Sequence, residues 1–179
     1  MTMRGIRRGM FLVIAAVQIA AAEPVQPPAQ TAFVAAVAEA RDQFKAAPND
    51  MAKGAARAAR KAAICRALPL RTARDWFGRI YRLSFTSDGN GIVEIAIGPD
   101  VYVTTWNNSL SDIGDNTLIP AGSPVFQAFV AMKTDDPVKF SGTFLYSGVD
   151  CLKETSLTQE GSMTAPEFLL RFSDASLTR

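Results

Sequence analysis

The chain contains no histidine. Ser-His-Asp and Cys-His catalysis and His-based metal centres are therefore excluded. It has only two cysteines, Cys65 and Cys151. They form no CxxC redox pair and are too few for a structural zinc site. No Gly-rich loop of the P-loop type occurs. No apolar run reaches the roughly 20 residues that a bilayer span needs. These absences leave no catalytic residue, metal ligand set or cofactor to name, and the expectation is a protein that is not an enzyme. Carboxylates brought together only by folding, as in a hydrolase, are the one enzymatic alternative left open.

What is present begins with an address. Arg4, Arg7 and Arg8 precede an apolar run from Met10 to Ala22, and Ala20-Ala21-Ala22 supplies small residues before Glu23. This three-part plan predicts a secretory signal peptide over 1–22, cleaved before Glu23, and a periplasmic or secreted product. The alternative is an uncleaved N-terminal helix that tethers the chain. Cysteine usage agrees with export. An oxidising compartment permits pairing, and an even count makes a Cys65–Cys151 bridge the simplest expectation. Two buried free thiols are the alternative.

Charge is unevenly laid out. Residues 23–179 hold 16 basic and 17 acidic residues, so that part of the chain is not basic overall. Residues 53–82 nevertheless hold nine basic residues and one acid, Asp75, whereas 83–179 hold five basic and twelve acidic. Nucleic acid is not the expected partner on this charge balance. The basic segment either meets an anionic surface such as lipid headgroups or glycan, or docks on the acidic remainder of the chain.

Residues 23–30, "EPVQPPAQ", read as an extended, mobile Pro-rich linker. A helical segment follows over 31–68. Its first helix places Phe33, Val34, Val37, Ala40 and Phe44 on one side, and Pro48 stops it. Asn49 or Asp50 caps a second helix. There Met51, Ala55, Ala58, Ala62 and Cys65 form an expected apolar stripe facing the packing surface. Lys53, Arg57, Arg60 and Lys61 form a basic stripe beside it, expected on the surface.

The texture then changes to strands. "DWFGRIYRLSFT" is followed by the turn "SDGNG", by the half-buried strand "IVEIAIG" and by "VYVTTW". A polar connection leads to a short helix, "SPVFQAFVAM", with Ser123 as N-cap and Pro124 at its first position. "DPVKFSGTFLYS" and "EFLLRFSDA" complete five strands, separated by the long polar segment from Gly148 to Glu167. Three strands, a helix and two strands predict an α+β, mainly β domain over 74–178. Its plan is a five-stranded OB-like barrel with the short helix after strand 3. A small β-sandwich or another α+β arrangement is the alternative.

The run "DWFGRIYRL…TWNNSLSDIGDNTLI…SPVF…VKFSGTFL…SLTQEGSM…PEFLLRFSD" resembles a group of exported or membrane-tethered bacterial proteins related to tRNA-anticodon-like OB domains. The resemblance spans residues 49–175 and both cysteines. It implies a fold and no activity.

Three sets of residues are candidates for function. Trp76, Tyr81, Tyr102 and Trp106 lie on the first and third strands, where OB barrels stack ligands on exposed aromatics; the same residues also fill barrel cores. Asn107, Asn108 and Asp112 head the polar connection. They form a structural turn, a ligand-contacting loop or, with Asp115 and Asn116, a set of hard oxygens for calcium. The basic stripe Lys53, Arg57, Arg60 and Lys61 is the third set. The expected function is a binding or accessory domain of the cell envelope, with a protein or glycan partner; peripheral contact with an anionic membrane through the basic helix is the further option. A structural subunit of an envelope or secretion assembly is the alternative.

Overall fold

The computed structural model describes residues 24–178. The expected leader and its cut before Glu23 lie outside the described residues. Among those described, no helix is long and apolar enough to cross a membrane.

Helix α1 (Pro28–Ala46) starts with a proline whose fixed φ suits the first helical turn. It begins inside the segment expected to be linker, so only 24–27 lack regular structure there. The cause is Gln30, which is fully buried. Its side-chain amide donates to the Phe77 carbonyl and accepts from the Phe77 N–H at 2.9 Å, as a neighbouring strand would. Phe33, Val37, Ala40 and Phe44 form the buried face, as their spacing predicts.

Helix α2 (Asp50–Ala67) is capped by Asn49, whose side chain accepts from the Ala52 N–H at 3.0 Å. Its buried residues are Ala56, Arg60 and Ile64, followed by Leu68 just past its end. The expected apolar stripe is therefore corrected: Met51, Ala55, Ala58 and Ala62 are exposed, and Cys65 is half-buried at the edge. Alanine carries too little apolar area to decide which way a helix faces. Here buried salt bridges and the disulfide decide it.

The barrel is built from β1 (Thr72–Phe85), β2 (Gly91–Gly98), β3 (Val101–Thr104), β4 (Pro137–Phe144) and β7 (Glu167–Leu177), with α3 (Pro124–Val130) between β3 and β4. The strands close in the order β1-β2-β3-β7-β4, and β4 pairs back onto β1. Only β3 and β7 run parallel. This is the five-stranded OB-like barrel with its helix after strand 3, mixed α+β and mainly β. Ser123 caps α3 by accepting from the Phe126 N–H, with Pro124 at the first position.

Strand β1 serves two neighbours because it bends. Its pairing with β4 shifts register between Ala73 and Trp76, where Asp75 adopts φ 53°, and its pairing with β2 shifts between Ile80 and Arg82. Gly78 sits between these bends. A Cβ there would lie 2.6 Å from the Ala96 carbonyl oxygen, so only glycine fits. Strand β2 is buried on both faces rather than one, because its outer residues are covered; even Glu94 is buried.

The polar segment after β4 is not a plain loop. It holds a two-residue hairpin, β5 (Tyr146–Ser147) with β6 (Cys151–Leu152), and α4 (Gln159–Thr164). Cys65 and Cys151 form a disulfide, with Cα atoms 5.7 Å apart, that ties α2 to this hairpin. Helices and barrel share one core. Phe33 of α1 packs on Trp76, Phe144 and Phe168 at ring-centroid distances of 5.5, 5.6 and 5.0 Å.

Candidate functional site

The strand register brings two of the aromatic candidates together. Ala96 pairs with Tyr102 and Arg82 with Glu94, and the β1 irregularity at Tyr81 swings that ring toward Tyr102. The two rings lie 5.0 Å apart at 56°. Tyr81 is 56% exposed and Tyr102 is half-buried.

Charged groups flank the pair. Arg82 Nη2 lies 3.2 Å from Glu94 Oε2. Glu167 is opposite Tyr102 across the parallel pair and accepts a hydrogen bond from the Thr155 hydroxyl at 2.6 Å. Burial pushes the Glu94 carboxyl up, the Glu167 carboxylate adds to this, and Arg82 opposes it. Burial likewise raises the Tyr102 hydroxyl, with Tyr81 and the acids at 100, 94 and 167 contributing. The face thus offers aromatic surface beside the Arg82 guanidinium and the half-buried Glu167 carboxylate, while Glu94 itself is buried. That set suits stacking with hydrogen bonding, as for a sugar ring or a peptide.

The other two aromatic candidates belong elsewhere. Trp76 is corrected from a ligand contact to a core residue: it is 1% exposed, because β1 turns it into the barrel. Trp106 is half-buried and fixed in place. Its indole N–H donates to Asp115 Oδ2 at 2.7 Å, and Lys153 Nζ lies 5.8 Å from its ring centroid. Lys153 also pairs with Asp115. Burial alone would raise the Asp115 carboxyl, but the bonds from Lys153 and Trp106 outweigh it and hold it below the usual range.

The polar connection is largely a structural joint. Asp112 Oδ1 accepts from the Thr117 N–H at 2.6 Å and the Thr117 hydroxyl at 2.7 Å, and Oδ2 from the Leu118 N–H at 3.1 Å. Asn108 accepts from the Ser111 N–H at 2.8 Å and donates to Asn107 at 2.6 Å. These oxygens are spent on backbone and neighbours, which is what such residues do in turns. Asn107 and Asn108 remain exposed. The joint also rims a cleft of about 510 Å³ lined by Asn90, Asp112, Ile119 and Phe172. No group of three acidic or cysteine side chains among the described residues is placed to hold a metal.

Part of the basic stripe of α2 turns inward, which corrects the surface assignment for Arg60 and, in part, for Arg57 and Lys61; Lys53 stays partly exposed beside Asp50. Arg60 is fully buried. It donates to Glu154 Oε1 at 2.9 Å and to the hydroxyl and carbonyl of Ser162, and lies 3.6 Å from Asp150. Arg57 makes a two-pronged pair with Asp150 at 2.8 and 2.6 Å. Lys61 donates to the Gly148 carbonyl, and Lys53 lies 5.3 Å from the Phe44 ring centroid. Burial would raise the Asp150 carboxyl, but the Arg57 hydrogen bonds dominate and lower it; the same bonds raise the Arg57 guanidinium. Of the two readings of the charge layout, the internal one holds for Arg57, Arg60 and Lys61: basic helix meets acidic hairpin.

Arg82, Glu94 and Glu167 were not among the residues singled out from sequence. One signal was available, because Glu94 is the only charge in an otherwise apolar strand. No protein-family model, curated protein or solved structure matches this chain.

Proposed function

We propose that the protein is an exported, non-enzymatic OB-like binding domain of a cell envelope, and that it meets a glycan or protein through the outer face of β1–β3. The Tyr81–Tyr102 pair, in contact at 56° with Tyr81 exposed, carries this reading. A tyrosine pair offers a rigid amphipathic platform at low entropic cost. Export is supported by the Cys65–Cys151 disulfide, which persists in oxidising compartments, and by the leader pattern of the first 22 residues. The absence of histidine from the sequence supports a binding role over catalysis.

Amide shifts on titration with cell-wall oligosaccharides test the reading. Shifts should concentrate in β1–β3, and Tyr102→Ala should weaken binding about tenfold, the lower end of what a stacked ring contributes. Saturable binding that ignores both tyrosines would sink it. An assembly subunit is the second reading. It is favoured by the cleft of about 510 Å³ between the β1–β2 hairpin and α3, where Phe85 and Val130 stand exposed beside Phe126 and Met132. Shifts confined to that cleft on adding an envelope protein would favour it.

A further inference from the structure

A second concavity lies away from the tyrosine pair. The register aligns Thr72 of β1, Thr143 of β4 and Arg171 of β7 in adjacent strands. Next to this row, a hollow of about 490 Å³ is lined by Arg71, Arg171, Lys153, Thr143, Tyr146 and Ser147, with Asp115 at its side. Three cations converge on it against one carboxylate.

The protein leaves much of this donor capacity unused. Asp115 takes Lys153 as its partner, and Arg171 Nε donates to the Asp115 backbone carbonyl at 2.6 Å. That bond fixes the Arg171 guanidinium while leaving both of its Nη groups without a protein acceptor among the described residues. Arg71 has no carboxylate partner among them either, since Asp75 pairs with Lys139 and Asp150 with Arg57. Its guanidinium stands 5.4 Å from the centroid of the exposed Tyr146 ring. Arg71 also adopts φ 50°, a left-handed conformation that glycine or asparagine would take at less cost. Strain of this kind clusters at ligand clamps. The Ser147 hydroxyl accepts from the Val149 and Asp150 N–H groups at 3.2 Å each, which leaves its own hydrogen to donate.

We propose that this hollow binds the phosphate group of a phosphorylated sugar, clamped by Arg71, Arg171 and Lys153, with Tyr146 stacking on the sugar. A tetrahedral phosphate can accept from three separate cations at once, and planar guanidinium forks match its oxygen pairs. The exposed ring beside Arg71 supplies the surface that a bare anion would not need. The hollow uses β4, β5, β7 and the residues just before β1 and just after β6, and shares no residue with the tyrosine face.

Calorimetric titration of the disulfide-bonded protein at low ionic strength tests this, with inorganic phosphate and a hexose 1-phosphate as probes. Both should bind saturably, the hexose phosphate about tenfold more tightly through stacking. Arg71→Gln should weaken both by about tenfold, the loss of one charge-assisted contact. Tyr146→Leu should remove the advantage of the sugar and spare inorganic phosphate. Arg66→Gln, an exposed change on α2, should alter neither. Absence of saturable binding, or wild-type affinity in Arg71→Gln, overturns the site. Equal affinity for the two probes, unchanged in Tyr146→Leu, overturns the sugar and leaves free phosphate as the ligand. Thermal melts of each variant confirm that it is folded.

Discussion

Replacing Arg60 with methionine isolates the contribution of the buried cluster. The substitution keeps much of the side-chain volume and removes the charge. Asp150 keeps its two-pronged pair with Arg57, so the carboxylate left without its cation is that of Glu154, which retains the hydrogen bond from the Ser162 hydroxyl at 2.7 Å. The Ser162 carbonyl and hydroxyl lose their donor as well. Removing one partner of a buried pair costs about 3–5 kcal/mol, because an uncompensated charge stays in the interior. A domain of ordinary stability has only about 5–15 kcal/mol in total. For a chain of this size the melting temperature should fall by roughly 6–20 °C. Urea unfolding under non-reducing conditions, followed by far-UV circular dichroism, reads the change directly. Arg60→Met with Glu154→Leu should recover most of the loss, since replacing both charges with apolar groups is often neutral. A single-variant loss below about 1 kcal/mol, the worth of a surface pair, would refute the reasoning.

Three further outcomes follow from the same geometry. Cys65→Ser and Cys151→Ser should each destabilise the protein by about 4–5 kcal/mol, the chain-entropy value for a loop of this length; clearly unequal losses in denaturant melts, or free thiols in the oxidised protein, would contradict the bridge. Glu94 has a raised folded pKa, so its contribution is fully present below its unfolded value near 4.3 and is lost as pH rises through the folded value; Glu94→Gln should therefore raise the melting temperature at pH 7 and give no gain at pH 4. Gly78→Ala should cost about 1–3 kcal/mol through the clash with the Ala96 carbonyl, visible as a lower urea midpoint at unchanged slope.

The features legible from sequence are those that local pattern decides. Phe33, Val37, Ala40 and Phe44 announce the buried face of α1, and Ser123-Pro124 announces the start of α3. The strand–strand–strand–helix–strand–strand order is enough to anticipate the barrel. The features that were not legible depend on partners far along the chain. Arg60 reads as a surface residue until Glu154 and Ser162 are brought beside it, about a hundred positions later. Gln30 reads as linker until it finds the Phe77 backbone. Strand alternation cannot say which side of a curled sheet is inside, so Trp76 was ambiguous while Tyr81 and Tyr102 were not separable from it. Elements as short as β5, β6 and α4 carry no periodicity, and tertiary contacts alone hold them.

The candidate site was legible in half. The two tyrosines were visible as aromatics on the first and third strands, but their contact comes from the β1 irregularity. The neighbouring charges join them only through register across four strands. The hollow around Arg71, Lys153 and Arg171 draws on segments a hundred residues apart, which no spacing rule connects.

On the function proposed above, recognition falls to the Tyr81–Tyr102 face of β1–β3 and not to α2, whose Arg57 and Arg60 are engaged by Asp150 and Glu154. Photocrosslinking in living cells tests it, with the reactive residue placed in turn at the exposed Asp100, two residues from Tyr102, and at the exposed Ala58 of α2. Position 100 should yield a discrete adduct that disappears in a Tyr81→Ala background, and position 58 should yield none. Adducts from position 58 alone would contradict the account.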